Sequence, residues 1–239
     1  NMQNNSALAQ TTSSNLLDKF DSTNAPILMY HHVTINPDPN NNIEAGLDVS
    51  PDQFETQIQS LSNNNKISGI ISNLFNSSPE NSVFITFDDG YEDVFTNAFP
   101  IMQKFNMVGT VYIITDYVGK DRYLSWEQIL QLKNAGWEVG SHTLSHLDLT
   151  KIPLEMATEQ ITISKTILES HLSVEITSFC YPAGKFNNDI ADVVQNNGYS
   201  TAVTTKPGHK NLIDNLFSLK RIRIDGRDSI EQFNNKLYY

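Results

Sequence analysis

The chain has 239 residues, a net charge of −11 and 39% hydrophobic residues. That length suits one large α/β domain, and that charge argues against a nucleic-acid partner, which needs a basic face. A single cysteine, Cys180, excludes an internal disulfide framework, and no apolar run approaches the ~18 residues of a membrane span.

Residues 1–24 are rich in Asn, Ser, Thr and Gln and read as a flexible arm. Within it Ala7-Leu8-Ala9 resembles a signal-peptidase site, without an apolar segment ahead of it, and points to an exported protein: periplasmic, cell-surface or secreted. Pro26 to Tyr30 is apolar and predicts a first strand, ended by His31-His32. Ile35 to Leu47 holds two prolines and three consecutive asparagines and predicts a long loop. Ser50-Pro51 then opens a helix, with Ser50 as cap, Pro51 at the first helical position and Phe54, Ile58 and Leu61 as the buried stripe.

Val83-Phe84-Ile85-Thr86-Phe87 is a continuous β-branched and aromatic run, the pattern of a parallel strand covered on both faces. It ends in Asp88-Asp89-Gly90. Tyr91 to Phe105 predicts a helix with Val94, Ala98, Ile101 and Phe105 on one face and a break or kink at Pro100. Gly109 to Thr115 is the next strand. Ser125-Trp126-Glu127-Gln128 has capping-box form, and its helix closes at Gly136.

Trp137 to Ser141 predicts a short strand leading into His142-Thr143-Leu144-Ser145-His146. A long helix follows over Leu154 to Leu172. Ile176 to Tyr181 is a strand that runs into Pro182-Ala183-Gly184. A helix over Asp189 to Asn197, a strand over Tyr199 to Thr204, a loop over Pro207 to Phe217 and a last strand over Leu219 to Ile224 complete the chain. Strands and helices alternate about seven times, the rhythm of parallel βαβ units, compatible with a barrel or an open sheet. The His and Asp pairs all follow strands, and in a parallel sheet those C-terminal ends share the face that carries active sites.

His142 and His146 are four apart, so a helical turn between them would aim both imidazoles one way. A His pair plus one Asp is a three-ligand set that leaves a position open for water. Of two adjacent aspartates at a strand end, one can serve a metal and the other a proton. Backbone N–H groups between Tyr181 and Gly184 are available to an oxyanion, and His31 is a candidate acid. The reaction class that results is metal-assisted hydrolysis of an amide or ester.

Thr86-Phe87-Asp88-Asp89-Gly90 and Ser141-His142-Thr143-Leu144-Ser145-His146 resemble the first two motifs of the polysaccharide deacetylases, the NodB-homology carbohydrate esterases, and the likeness runs from about Pro26 to Asp225. The resemblance implies a distorted (β/α) barrel of about seven parallel strands, with residues 25–239 as the deacetylase domain. It implies Asp88 as general base. It implies Asp89, His142 and His146 as ligands of a divalent ion, zinc first, with cobalt, nickel or iron as alternatives. It implies the Tyr181 N–H as an oxyanion donor.

Cys180 stands where the family motif often carries an arginine that orients the base; Arg221 and Arg223 are the candidates to replace it. Tyr30-His31-His32 is similar to the permuted-motif subgroup that includes poly-β-1,6-N-acetylglucosamine deacetylases, which makes His31 the acid and His32 structural. The implied activity is removal of acetyl groups from an N-acetylated polysaccharide. A peptidoglycan or chitin-type deacetylase and a catalytically weak glycan-binding pseudoenzyme are the alternatives. Cys180 reads as a small buried hydrophobe, His171 and His209 as solvated, and Trp126, Tyr117 and Tyr123 as candidates for a sugar groove.

Overall fold

Strand β1 (Ile27–Tyr30) has two parallel partners, and that double pairing closes a barrel. The computed structural model describes residues 22–35 and 41–237; the arm up to residue 21, with Ala7-Leu8-Ala9, and residues 36–40 of the predicted loop lie outside the described residues. The other strands are β2 (Ile67–Gly69), β3 (Ser82–Phe87), β4 (Thr110–Ile113), β5 (Glu138–Ser141), β6 (Ser178–Cys180), β7 (Thr201–Pro207) and β8 (Leu219–Arg223). Seven of them run β1-β3-β4-β5-β6-β7-β8 and back to β1, each pairing parallel. β2 is an eighth, outside the closure. It pairs with Ser82–Phe84, on the edge of β3 that β4 takes up at Thr86 and Phe87.

Helices α1 (Asn42–Leu47), α2 (Pro51–Asn63), α3 (Phe99–Lys104), α4 (Trp126–Asn134), α5 (Leu154–Leu172), α6 (Asn188–Asn196) and α7 (Ile230–Lys236) lie between and after the strands. The predicted caps form. Ser50 accepts from Gln53 N, and Ser125 and Gln128 make the reciprocal capping box. Gly136 takes φ +90° just past the Ala135 C-cap, a conformation that glycine adopts without a Cβ penalty.

Period-two alternation sorts each strand into two cores. Val83, Ile85 and Phe87 face outward and pack with Leu28, Tyr30, Val111, Val139 and helix side chains such as Phe54, Ile129 and Leu168. Phe84 faces inward and meets Ile27, Tyr112, Cys180, Val203 and Leu219. The barrel is therefore filled rather than open. A Cβ on Gly140 would fall 2.5 Å from the Tyr112 ring, so that crossing needs glycine. By the same parity Thr86 and Asp88 continue the inward face of β3, and Arg221 continues that of β8 after Leu219. The floor of the site is thus set by strand geometry.

Three predicted segments differ. The helix over Tyr91 to Phe105 splits into a π-helical turn at Val94–Ala98 and α3, with Phe99 N bonding Val94 O; Pro100 has no N–H to continue an i→i−4 ladder. The predicted loop before Leu47 contains α1, whose first turn is held by Asn41 Oδ1 accepting from Ile43 N at 3.1 Å. The predicted loop after Pro207 contains Asn211–Leu212, which pairs antiparallel with Ser22–Thr23, the end of the predicted arm.

Candidate active site

The two aspartates separate because the β3 ladder ends between them. Asp88 N still donates to Tyr30 O at 3.0 Å, so its side chain keeps the inward parity of Thr86. Asp89 has φ +71° and Gly90 +75°, which turns the second carboxylate up to the barrel mouth. Left-handed backbone at a non-glycine residue is costly and clusters at functional sites. Thr143 (+68°), His146 (+60°) and Ala183 (+52°) share it here.

Asp88 is buried and held by Arg221. The guanidinium donates from Nη1 and Nη2 to the two carboxylate oxygens, both at 2.7 Å. Nε donates to Thr204 O at 2.8 Å, Nη1 to Thr86 Oγ1 at 3.0 Å, and Nη2 approaches Cys180 Sγ at 3.5 Å. Burial alone would raise the Asp88 carboxyl; the charge and hydrogen bonds of Arg221 outweigh it and hold the group below the usual carboxylate range. Arg221, not Arg223, fills the place of the motif arginine: Arg223 ends β8, pairs with Met29 and is exposed. Cys180 is buried as predicted, and the small thiol leaves room for a guanidinium delivered from the opposite side of Asp88.

Asp89 Oδ1 lies 3.2 Å from His142 Nε2 and 3.5 Å from His146 Nε2. The edge of a tetrahedron with metal–ligand bonds near 2.0–2.1 Å is about 3.3 Å, so these separations suit a shared ion. His142 Nδ1–H donates to Cys180 O at 2.7 Å, leaving the Nε2 lone pair directed at the site. The chemistry of this donor set and its spacing therefore fit a divalent cation. Asp88, His142 and Cys180 also have ligand atoms within 4.8 Å of one another. That second set is unsuitable: both Asp88 oxygens are occupied by Arg221, and burial pushes the Cys180 thiol up, away from thiolate. The segment from His142 to His146 is not the helical turn that would align the rings. Two left-handed residues fold it, and the ring centroids lie 4.8 Å apart at 74°.

His31 continues the inward parity of β1, with Nε2 3.9 Å from Asp88 Oδ2. Burial lowers its pKa against the pull of Asp88 and Asp89. His32 points the other way. Its Nδ1 bonds Asp93 Oδ2 at 2.5 Å and its ring stacks on Tyr91 at 3.5 Å, in line with a structural role.

Tyr181, the expected oxyanion donor, follows β6. Its N–H donates to Val203 O at 3.3 Å and its hydroxyl to Phe217 O at 3.1 Å, so the amide is committed to the barrel. Gly184 N donates to Tyr181 O and Lys185 N to Pro182 O, and Pro182 has no N–H. The Ala183 N–H is the amide of this turn left without an acceptor among the described residues, on an exposed residue with left-handed backbone. A Cβ on Gly184 would strike Thr205 Oγ1 at 2.1 Å, so glycine is required to form the turn.

Of the aromatic candidates, Tyr123 lines a cavity of about 260 Å³ with His32, Tyr91 and Arg122. Tyr117 packs edge-on against Tyr123 at 4.9 Å. Trp126 does not line that cavity; it stacks on His171, 3.8 Å away and 8° from parallel, and His171 is exposed as expected. His209 is half-buried.

Fold and site together define a (β/α)-barrel hydrolase. The profile of the polysaccharide deacetylase family matches residues 75–202, and the chain belongs to that family. It is similar to the Streptococcus pyogenes deacetylase PplD, solved with acetate: 28% identity, TM-score 0.81, covering 90% of this chain and 98% of that one. It is 28% identical over 205 residues to Bacillus subtilis YxkH, assigned to the polysaccharide deacetylases, covering 83% of this chain and 71% of that protein. A Staphylococcus aureus poly-β-1,6-N-acetyl-D-glucosamine N-deacetylase is 30% identical over 169 residues, 63% of this chain; the chain spans 58% of that enzyme's length. No helix among the described residues is long and apolar enough to cross a membrane.

Proposed function

We propose that the protein hydrolyses the acetamide of N-acetylglucosamine units in a polysaccharide, releasing acetate, with poly-β-1,6-N-acetylglucosamine as the favoured polymer. The observation that carries the reading is a buried carboxylate, Asp88, fixed by Arg221 beside the Asp89, His142 and His146 set. Asp89, His142 and His146 would hold a divalent cation, zinc first, which would supply Lewis acidity to the acetamide carbonyl and to water.

Asp88 accepts the proton of the attacking water. Its low pKa and two-point hold on Arg221 keep it ionised and aimed. The Ala183 N–H donates to the oxygen that gains charge when the carbonyl carbon becomes tetrahedral. The C–N bond then breaks, and the leaving nitrogen takes a proton from His31. The proton accepted by Asp88 resupplies His31, whose Nε2 lies 3.9 Å from Asp88 Oδ2. Tyr123 and Tyr91 flank a cavity that suits a neighbouring sugar.

Arg221 on both Asp88 oxygens favours an intact base over the pseudoenzyme alternative. Acetate release from β-1,6- and β-1,4-linked N-acetylglucosamine oligomers, with bound metal measured on the same sample, tests the proposal. Turnover on the β-1,6 series that a chelator abolishes and added zinc restores is the expected result. Preference for the β-1,4 series would move the substrate to chitin or peptidoglycan, and no acetate from either would refute the reading.

A further inference from the structure

Between Lys206 and Arg223 fall five cationic residues and one carboxylate, Asp214, in a chain whose net charge is −11. Arg221 is engaged inside the barrel by Asp88. Lys206, Lys210, Lys220 and Arg223 are exposed. None of these four makes an ion pair among the described residues, whereas Lys104, Lys165, Lys185, Arg227 and Lys236 do.

The unpaired cations line two concave sites whose linings alternate along the segment 206–210. One, of about 300 Å³, holds Lys206, Lys210 and Lys220 with Asn215 and Ser218. The other, of about 460 Å³, holds His209 and Arg223. The stem of Lys220 lies against Gly208: a Cβ there would fall 2.9 Å from Lys220 Cδ, so this lysine is partly held in place before anything binds. Like charges gathered in a hollow focus a positive potential. Ammonium groups act on phosphate as point charges and do not need bidentate geometry.

The strip also has a definite end. Lys206 Nζ sits 4.6 Å over the Phe186 ring, Phe186 stacks on Tyr181 at 4.7 Å, and Thr205 Oγ1 donates to Ala183 O at 3.3 Å. The lysine cluster therefore abuts the turn that carries the Ala183 amide. The geometry points to a binding track for a flexible polyanion of linked phosphate groups, of which polyphosphate is the simplest, running from Lys220 past Lys210 and Lys206 to the rim of the active site, with Arg223 on its far side. Re-entrant hollows suit a strand that can enter them better than a flat lipid surface. The track does not depend on the deacetylase reading, and its test needs no turnover.

The test uses the whole chain and fluorescently labelled long-chain inorganic polyphosphate, with anisotropy read across a salt series. The wild type binds more tightly as salt falls. Lys206→Ala/Lys210→Ala/Lys220→Ala weakens binding about tenfold or more and reduces the slope of log affinity against log salt by about 2–3, one per lost contact. Lys133→Ala/Lys151→Ala, which removes two unpaired lysines elsewhere, leaves affinity within about twofold. If the triple variant loses its fold by circular dichroism, Lys210→Glu alone, at an exposed turn, weakens binding at least about threefold. The proposal is overturned if the wild type ignores polyphosphate at low salt, if the lysine variants bind as the wild type does, or if the Lys133/Lys151 pair matters equally. Binding to phosphatidylglycerol vesicles without binding to polyphosphate would overturn it in favour of a membrane surface.

Discussion

Arg221→Met isolates what the buried ion pair contributes. The substitution keeps an apolar stem of similar length and removes the fork that holds both Asp88 oxygens at 2.7 Å. Asp88 is only 3% exposed, so its carboxylate would be stranded away from water. Breaking a buried pair in this way costs about 3–5 kcal/mol, and the Thr204 carbonyl loses a donor worth about 1 kcal/mol more. Against a total stability of about 5–15 kcal/mol, that is a large fraction.

The pH dependence has a definite sign. In the wild type the Asp88 pKa is depressed, so its stabilisation is present above the unfolded value of about 3.9 and is lost as pH falls through the folded value. In Arg221→Met, burial loses its main opponent, with only the weaker pull of His31 and His142 left, and lifts the pKa above 3.9, so the ionised group destabilises at neutral pH and is relieved as pH falls. The gap between variant and wild type therefore narrows from pH 7 toward pH 4.5. Urea unfolding of chelator-treated protein at both pH values measures it, the chelator removing any contribution from a bound ion. Adding Asp88→Asn completes a double-mutant cycle with an expected coupling of at least about 2 kcal/mol. A loss under 1 kcal/mol, or a gap that does not change with pH, would refute the reasoning.

Asp88→Asn should cut acetate release by about 10²–10⁴-fold while bound metal, read by emission spectroscopy, stays at the wild-type level; His142→Ala should lose both. Cys180→Arg places a second guanidinium beside a carboxylate whose oxygens are already taken, so it should cost about 3 kcal/mol or more in chemical unfolding. Cys180→Arg combined with Arg221→Leu should recover much of that, and a neutral Cys180→Arg single variant would contradict the packing described. His171→Ala removes the stack on Trp126 and should lower stability by about 0.5–1.5 kcal/mol with acetate release unchanged; a loss of activity would return Trp126 to the sugar groove.

Much of this molecule is readable from its residues because burial repeats with the period of its elements. The run Val83 to Phe87 is apolar on both faces because both faces are covered, and Ser50 and Ser125 mark helix starts through side-chain bonds local in sequence. Non-local choices were not legible. Arg221 and Arg223 are equivalent in sequence; only the folded barrel gives Arg221 the Asp88 carboxylate and leaves Arg223 exposed at the end of β8. The donor in Tyr181 to Gly184 depends on which amide the neighbouring strand takes, and β7 takes Tyr181. His142 and His146 share the spacing of a helical turn, yet left-handed Thr143 and His146 bring the rings together by another path. Asn-rich sequence hid α1, since asparagine serves a loop and a helix start equally well.

The seam between β1 and β8 carries a consequence for biogenesis. Of the barrel strands β1 is made first and β8 last, and β1 touches both β8 and β3. The proposed proton donor rides on one side of that seam and the clamp on Asp88 on the other. An unfinished or C-terminally clipped polypeptide would carry the Asp-His-His cluster yet leave its neighbouring carboxylate unanchored. Competence would then switch on only when the final strand docks, making hydrolytic output a readout of complete assembly.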